Sequence, residues 1–341
     1  MRPGRGTNLA LAGGLALALL TGGLAFGFGA PSGAWAAMLH GATGLAVLLL
    51  SPWKSVVARR GMGRRRSGRL GSLALALLAG LTVVTGLLHA TGLVVSMGPV
   101  SAMQIHVGAG LLSLPLAVRH MRARPVPVRR VDLTRRNMLR TAALAAGAAA
   151  ATAGVEALIR STGLPGGERR FTGSHERGSG DPAAMPVTQW LDDRVPTISP
   201  DDWALTIRTP AGETRLGYDG LVAIPAEEVE ALLDCTGGWY AAQTWSGVRL
   251  DLLVGTTAGA DAGTRSLMVR SATGYARRFP LGDLERLWLA TRVGGKPLSP
   301  GHGFPARVVA PGRRGFWWVK WVTSVEASPV PWWAQSPFPL S

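Results

Sequence analysis

The chain is poor in cysteine, because Cys235 is the only one among its 341 residues. A single thiol excludes an intramolecular disulfide framework, and it excludes a zinc site built from several cysteines. No His/Asn motif accompanies it, which argues against a cysteine hydrolase. Cys235 is therefore a small buried core residue, a reactive thiol or a ligand for another metal.

Acidic residues are also scarce: 20 Asp and Glu stand against 36 Lys and Arg, which gives a formal net charge of +16. A strongly basic chain suggests a nucleic-acid partner. Much of the excess, however, lies in short loops between apolar runs, over residues 53–69 and 119–130. Basic loops of this kind mark the cytoplasmic side of membrane helices. We therefore expect membrane lipid, and no nucleic acid, as a partner.

Charged residues are absent from four apolar stretches, each close to the ~20 residues that cross a bilayer. These stretches run at about Leu9–Ala30, Trp35–Pro52, Leu70–Val95 and Ser101–Val118. They predict a four-helix membrane domain over residues 1–130. With the basic loops inside, the N-terminus is cytoplasmic and the connections 28–34 and 95–101 lie outside.

A weak internal repeat relates the two halves of this domain. TGGLA at 21–25 resembles TGLLH at 85–89, and the segment that begins at His40 resembles the one that begins at His106. The repeat predicts two duplicated helix pairs, and it places both histidines at a similar depth near the outer face. Histidine inside a membrane is a functional candidate, and imidazole is a ligand of haem iron.

We expect at most one b-type haem, with His40 and His106 as its axial ligands and His89 as a rival ligand. His120 follows His106 at a spacing close to four helical turns, or ~21 Å. No second histidine lies at its depth, so we predict no second pair. Interhelical hydrogen bonds between these histidines are the alternative.

The segment TRRNMLRTAALAAGAAAATAG (134–154) resembles a twin-arginine translocation signal. It predicts a fifth membrane helix over residues 131–160, and an ordinary helix with a basic flank is the alternative. Either interpretation makes the chain a multi-pass protein of the cytoplasmic membrane. The remainder of the chain then lies in the extracytoplasmic space.

Residues 161–186 are rich in Gly, Pro and Ser, and they predict a flexible linker in which His175 is solvated. Residues 187–341 show a mixed α+β pattern. The predicted strands lie at 203–209, 266–272, 306–311 and 317–327, and the predicted helices at 225–233 and 281–290.

Three blocks occur in order in this domain: DCTGGWYAAQTWSGVRLDLLV, RSATGYARRFPL and LWLATRVGGKPLSPGHGFPARVVAPGRRGFWWVKWV. Together they resemble the sulfite-oxidase-type molybdopterin oxidoreductase domain over about residues 186–327. The resemblance implies that Cys235 ligates molybdenum beside the molybdopterin dithiolene. It implies further cofactor contacts from Thr236, Ser271, Thr273, His302, Arg307, Trp318, Val319 and Lys320.

The sequence departs from that family directly after the cysteine. Gly238, Trp239 and Tyr240 stand where the sulfite oxidases carry an Arg-rich anion pocket. The departure favours reduction of an S- or N-oxide over sulfite oxidation. The resemblance thus implies oxygen-atom transfer with a small-molecule substrate, with electrons relayed through the membrane domain and exchanged with quinone or another carrier. The alternative is a non-catalytic membrane receptor or assembly factor that retains the fold without the metal.

Tryptophans crowd the end of the chain, and they suggest either core packing or contact with the membrane surface. They are Trp317, Trp318, Trp321, Trp332 and Trp333.

Overall fold

The structure is a computed structural model, and it describes residues 4–62, 69–98, 100–189, 193–255 and 263–337. The chain divides into two compact units. We call Met1–His175 the helical unit and Glu176–Ser341 the sheet unit. The predicted loop 53–69 begins as helix, and residues 63–68 lie outside the described residues.

Five long helices build the helical unit, and their apolar, alanine- and leucine-rich sequences favour helix throughout. They are α1 (Arg5–Gly27), α2 (Ala34–Met62), α3 (Arg69–Thr91), α4 (Ala102–Ala123) and α5 (Arg135–Ser161). A small ladder joins β1 (Ser96–Met97) to β2 (Val100–Ser101). Ser101 then caps α4 through a reciprocal bond pair with Gln104.

Four segments in the described residues are long and apolar enough to cross a membrane: Arg5–Gly27, Pro31–Arg59, Arg69–Thr91 and Arg135–Ser161. The helix α4 is not among them, and crossing by α4 stays a prediction. Large apolar side chains on these helices are exposed, for example Leu20 at 61% and Leu77 at 74%. Exposed apolar surface of this kind indicates contact with lipid or another protein.

The helices pack as two pairs, as the internal repeat predicts. The helix α1 lies along α2, and α3 lies along α4, whereas contacts between the two pairs are sparse. The helix α5 packs against α2. The two pairs therefore approach one another through only a few residues, and we call this sparsely packed boundary the slot.

The first part of the predicted linker packs against the helices. A 3-10 turn at Pro165–Glu168 lies on the end of α3, where a Cβ on Gly166 would clash with the carbonyl oxygen of Ala90. His175 is only 7% exposed, and its Nε2 donates to the carbonyl of His89 at 2.8 Å. The prediction that His175 is solvated is wrong, because this bond and the ring of His89 bury it.

Strands dominate the sheet unit, and the two-residue β3 (His175–Glu176) spans the boundary between the units in the chain. The first sheet contains β6 (Glu227–Cys235), β7 (Trp239–Arg249), β10 (Trp288–Val293), β11 (Lys296–Pro297) and β12 (Arg307–Val309). In it β7 lies between β6 and β10, and β10 also pairs with β11 and β12, all antiparallel.

The second sheet has the order β5-β4-β13-β8-β9, in which only β4 and β13 are parallel. Its strands are β4 (Ala204–Thr209), β5 (Gly212–Gly217), β8 (Ser266–Ser271), β9 (Ala276–Phe279) and β13 (Val322–Ser328). Two short helices, α6 (Tyr218–Ala223) and α7 (Leu250–Val254), complete the unit. The predicted α+β class is confirmed.

The two helices predicted in this unit are wrong. Residues 225–233 contribute to β6, which pairs with β7 from Glu227 to Cys235. Its Glu, Ala and Leu residues favour helix locally, but burial alternates along it, and the sheet prevails over the local propensity. Residues 281–290 form a 3-10 turn to Arg286, and then β10 begins.

The terminal tryptophans divide between the two predicted roles. Trp317, Trp318 and Trp321 are buried at 8%, 2% and 2% exposure, whereas Trp332 and Trp333 are exposed at 39% and 66%. Core packing therefore accounts for the first three.

Candidate cofactor sites

Cys235 ends strand β6 and opens a tight hairpin into β7. It pairs with Trp239, and the turn between them needs Gly238, whose φ of 93° other residues rarely adopt. The Gly237 N–H points at the sulfur, with N···Sγ at 3.3 Å. The hairpin therefore fixes the thiol at a sharp corner and directs a backbone donor at it.

Burial raises the pKa of the Cys235 thiol, and this is the largest influence on it. The Gly237 N–H, Arg314, Lys320 and Thr188 each act in the opposite direction. The protein alone therefore favours the neutral thiol, while it provides donors and cations that support a thiolate. A bound metal cation would complete that ionisation.

An ion pair buried beside the thiol holds this corner. The Arg314 guanidinium donates to Asp234 Oδ1 at 2.5 Å, and the two side chains are 2% and 3% exposed. Arg314 also donates to the carbonyl of Cys235 at 3.4 Å. The pair thus ties the end of β6 to the loop that precedes Trp317.

Removing one partner of this pair destabilises the sheet unit. In Asp234→Asn the Arg314 charge stays buried without its carboxylate, which costs about 3–5 kcal/mol. We expect the unfolding transition of the sheet unit to fall by about 6–20 °C. The matched control is Glu213→Gln, whose salt bridge with Arg208 is exposed and worth less than about 1 kcal/mol. Equal melting temperatures for both variants would contradict the structural role of the pair.

The thiol faces a cleft between the loops of the two sheets, with about 690 Å³ of empty space, open solvent included. Its lining includes eight of the nine residues predicted from the sequence: Cys235, Thr236, Ser271, His302, Arg307, Trp318, Val319 and Lys320. The ninth, Thr273, reaches Ser271 Oγ at 3.2 Å and donates to Asp193 at 3.1 Å.

Arg307 is the most deeply placed cation of the cleft, at 1% exposure. Its guanidinium carbon lies 5.0 Å from the ring centre of Trp245 and 5.5 Å from that of Trp318. It donates to the carbonyls of His302 and Trp318, and its Nε has no hydrogen-bond partner within the described part of the chain. The rings of Trp245 and Trp318 therefore orient the buried Arg307 guanidinium, and only some of its N–H groups are hydrogen-bonded.

Lys320 lies within electrostatic range of Arg307 and donates to the carbonyls of Thr188 and Gly301 at 2.9 and 2.6 Å. His302 is fixed by Ser299 on one ring nitrogen and by the carbonyl of Met185 on the other. These bonds hold the cationic loop in place before any ligand binds.

No carboxylate forms an ion pair with Arg307 or Lys320 among the described residues. Burial lowers the pKa of Lys320 to about 7, and it lowers the pKa of Arg307 to about 9. Two cations that are costly to bury therefore face one cleft with no anion bonded to either. Asp193 also lines the cleft and acts on Lys320 electrostatically without an ion pair, so a phosphate-bearing ligand would supply an anion bonded to these cations.

Sequence reasoning missed several residues of the cleft. Thr188 and Gln189 come from the segment before the first predicted strand, and Tyr275, Phe316 and Trp321 complete the wall. Gln189 Nε2 is a buried donor in this lining with no hydrogen-bond partner among the described residues. No local pattern identifies Thr188 or Gln189, because they reach the cleft only through the fold.

Metal ligands do not cluster elsewhere in the described residues, where no group of three or more His, Cys, Asp or Glu side chains could hold a metal ion. A metal at Cys235 must therefore bring most of its own ligands.

The helical unit brings His40 and His106 together across the slot. Their Nε2 atoms lie 3.4 Å apart, and the rings are edge to face with centres at 5.7 Å. His40 Nδ1 meets the carbonyl of Ala18 at 3.0 Å, and His106 Nδ1 meets that of Thr82 at 2.7 Å. A carbonyl only accepts, so each Nδ1 carries the proton. In the neutral rings both facing Nε2 atoms then present lone pairs, as two ligands of one metal do.

The surroundings of the two histidines are duplicated. Gly22 and Gly86 occupy matching positions in the two helix pairs, and a Cβ on either would lie within 2.9 Å of the ring of His40 or His106. The Thr21 and Thr85 hydroxyls make matching bonds to Leu17 and Leu81. The weak repeat in the sequence thus corresponds to a structural repeat centred on the histidine pair.

His89 is placed differently from this pair. It is 2% exposed, its Nε2 donates to the carbonyl of Gly173 at 2.8 Å, and its Nδ1 has no partner. Its ring lies edge to face with that of His175, at 4.8 Å. The structure therefore brings together His40 and His106, with His89 in a second pair.

Comparison with known proteins assigns the sheet unit. Residues 192–335 match the family described as "Oxidoreductase molybdopterin binding domain". Mitochondrial sulfite oxidase of Drosophila melanogaster is 32% identical over 163 residues, which covers 38% of this chain and 28% of the relative. The uncharacterized oxidoreductase YuiH of Bacillus subtilis is 30% identical over 115 residues, 33% of this chain and 57% of the relative.

A solved structure, the sulfane dehydrogenase SoxCD of Paracoccus pantotrophus, matches with 24% identity and a TM-score of 0.37 over 40% of each chain. The chain spans less than a third of the length of the sulfite oxidase that it matches. The residues matched by the family model lie in the unit that contains Cys235 and its cleft. Residues 192–335 of this chain therefore match the molybdopterin-binding oxidoreductase family and resemble part of the sulfite oxidases.

Proposed function

We propose that the chain is a membrane-anchored molybdenum-cofactor oxidoreductase that transfers an oxygen atom outside the cytoplasmic membrane. One observation carries the proposal: the buried thiol of Cys235 shares a cleft with the buried Arg307 and the half-buried Lys320, and neither cation is bonded to a carboxylate among the described residues. A molybdopterin brings the dithiolene sulfurs and the phosphate that this set of residues lacks. The proposed domains are the membrane domain over 1–130, the helix over 131–160, the linker over 161–186 and the catalytic domain over 187–341.

The residues of the cleft divide between the two ends of such a cofactor. Cys235 would ligate molybdenum, and Arg307 and Lys320 would hold the phosphate, with Trp318 and Val319 beside them. His302 would support this end of the cofactor by fixing Arg307 through its backbone carbonyl. Thr236, Ser271 and Thr273 would provide polar contacts to the pterin. When bound, the group supplies two-electron redox chemistry coupled to oxygen-atom transfer.

The aromatic part of the cleft wall favours a neutral substrate. Trp239, Tyr275 and Phe316 line it, and the cationic Arg314 is bound to Asp234 and the backbone. An aromatic wall suits the organic substituents of an S- or N-oxide, whereas sulfite is a small anion that needs free cations. We therefore favour reduction of a sulfoxide to sulfide and water, which takes up two electrons and two protons.

Substrate preference tests this part of the proposal. With the cofactor-loaded protein, we expect kcat/KM for an aryl methyl sulfoxide, with a reduced viologen as donor, to exceed kcat/KM for sulfite with ferricyanide as acceptor. The same preparation is used for both reactions, so cofactor content cancels. A larger kcat/KM for sulfite would overturn the assignment to sulfoxides.

Lys320 gives a prediction that does not need turnover. The pKa of Lys320 is about 7 in the folded protein, against about 10.4 in an unfolded chain. Between these values the unfolded state binds more protons, so the stability of the cofactor-free protein rises with pH. In Lys320→Met the part of this pH dependence that comes from Lys320 should vanish. The molybdenum content of the purified variant should also fall, because one phosphate contact is lost.

The melting temperature of cofactor-free protein, measured from pH 7 to 10 for wild type and Lys320→Met, checks the pH prediction. Other groups titrate in both proteins, so the difference between the two slopes is the quantity of interest. Parallel slopes would show that the Lys320 ammonium is not destabilised by burial.

The helical unit supports electron supply through the membrane. We propose that His40 and His106 hold one b-type haem, with His89 beside it as the rival ligand, and that quinone or another carrier exchanges electrons with the unit. A haem iron, when bound, supplies one-electron redox chemistry. The two lone pairs that face each other, with both Nδ1 atoms fixed by carbonyls, support this assignment.

A further inference from the structure

The structural repeat continues beyond the histidine pair to a second position. Lys54 follows His40 at the same spacing at which His120 follows His106. Lys54 Nζ donates to Asn8 Oδ1 at 3.0 Å, and His120 Nδ1 meets Ser72 Oγ at 3.1 Å. Asn8 and Ser72 are themselves matching positions of the duplication, so Lys54 and His120 are equivalent in partner as well as in spacing. We call them the lysine–histidine pair.

The chemistry of the two pairs differs although their backbone positions correspond. In the histidine pair each Nδ1 meets a carbonyl, which leaves two lone pairs facing each other. In the lysine–histidine pair Lys54 presents an ammonium with two N–H groups beyond its bond to Asn8. His120 Nδ1 meets a hydroxyl, which can donate, so its ring proton can lie on Nε2. This pair is therefore a set of donors, and an ammonium repels a metal.

The positive charge around the lysine–histidine pair and the partial exposure of its side chains suit a bound ligand. Lys54 lies within electrostatic range of His120, and Arg124 lies within range of both. The only carboxylates with ion pairs in the described helical unit, Asp132 and Glu156, are bonded to Arg5 and Arg169. Lys54 and His120 are both half-buried, and the helix pairs on which they lie have few contacts with one another. The position is thus cationic, partly exposed, and located where the two helix pairs have few mutual contacts.

We propose that the lysine–histidine pair binds the head group of a quinone, with N–H groups of Lys54 and His120 donating to its carbonyl oxygens. A para-quinone is flat, carries one acceptor oxygen at each end of its ring, and reaches the site from the lipid. The pair is about 21 Å along the helices from the histidine pair. This inference rests on the proposed function, in which hydroquinone and sulfoxide give quinone, sulfide and water.

Binding of a quinone analogue tests the site directly. The probe is a fluorescent heptyl-hydroxyquinoline N-oxide, titrated into full-length protein in nanodiscs, with Kd read from fluorescence quenching. Loss of a charged donor in Lys54→Met should weaken binding about tenfold or more. The conservative variant Lys54→Arg keeps the donors and should bind within about threefold of wild type. Equal Kd values for Lys54→Met and wild type would overturn the proposal.

A gain-of-ligand variant provides the second test. Lys54→His recreates at this position the arrangement of the histidine pair, so haem per protein should rise by one and analogue binding should be lost. Unchanged haem content together with unchanged Kd would show that the two positions do not share one slot. If Lys54→Met instead releases co-purified anionic lipid and leaves Kd unchanged, the pair is a lipid site and the quinone assignment fails.

These readouts are separate from the proposed function. The Kd is measured without molybdenum and without turnover. A protein that lacks molybdenum but shows the Lys54 dependence would overturn the catalytic proposal alone, and a loaded protein without that dependence would overturn only the quinone site.

Discussion

Cys235→Ser is expected to abolish oxygen-atom transfer while the pterin stays bound. A buried serine hydroxyl stays protonated and cannot replace the thiolate as a metal ligand, whereas the phosphate contacts at Arg307 and Lys320 are untouched. Loss of an outer-shell contact alone costs about 10–100-fold, so loss of the ligand itself should reduce kcat by at least about a hundredfold. Activity and pterin fluorescence, measured on one preparation, check both parts.

Arg307→Met is the matched control for this variant. It removes a buried phosphate donor and leaves the thiol in place, so pterin and molybdenum should both be lost. The two variants therefore separate the metal end of the cleft from the phosphate end. Wild-type activity in Cys235→Ser would show that the thiol is a core residue and would refute the site.

The second large effect is expected in the membrane helices. In His40→Ala or His106→Ala one axial ligand is missing, and the Soret absorbance per protein should disappear. The two rings are equivalent through the duplication, so the two variants should behave alike. Molybdenum content, which depends on the other unit, should remain at the wild-type level.

His120→Ala serves as the control for these variants. This variant removes a histidine from the same helix as His106 but leaves the histidine pair intact. The Soret absorbance per protein should therefore match that of wild type. Retained absorbance in both His40→Ala and His106→Ala would exclude them as ligands. Loss of the Soret absorbance in His89→Ala as well would mean that the second pair, His89 and His175, supports the haem.

The architecture of the helical unit is largely predictable, because its signals are local. Apolar runs of membrane length define the helices, and the basic loops divide them. The repeat around His40 and His106 is visible in the sequence, although only the structure shows that Ala18 and Thr82 orient the two rings. The burial of His175 is not predictable, since the polar segment that contains it resembles a linker.

The cleft is predictable only where residues lie in contiguous motifs. Cys235, His302 and Arg307 belong to such motifs, whereas Thr188 and Gln189 join them through long-range folding. Strand β6 resembles a helix in sequence because its Glu, Ala and Leu residues favour one, and its pairing with β7 is a property of the sheet. For the same reason local patterns give no sign of the bond between Asp234 and Arg314, which are distant in the chain.

The central claim is that this chain is a molybdenum enzyme with a haem-bearing membrane unit. Elemental mass spectrometry of the detergent-purified full-length protein, with an absorbance spectrum of the same sample, tests it most directly. We predict near-stoichiometric molybdenum together with a Soret band. Absence of molybdenum from protein made in cells that synthesise the cofactor would contradict the account, and Cys235 would then be a buried core residue.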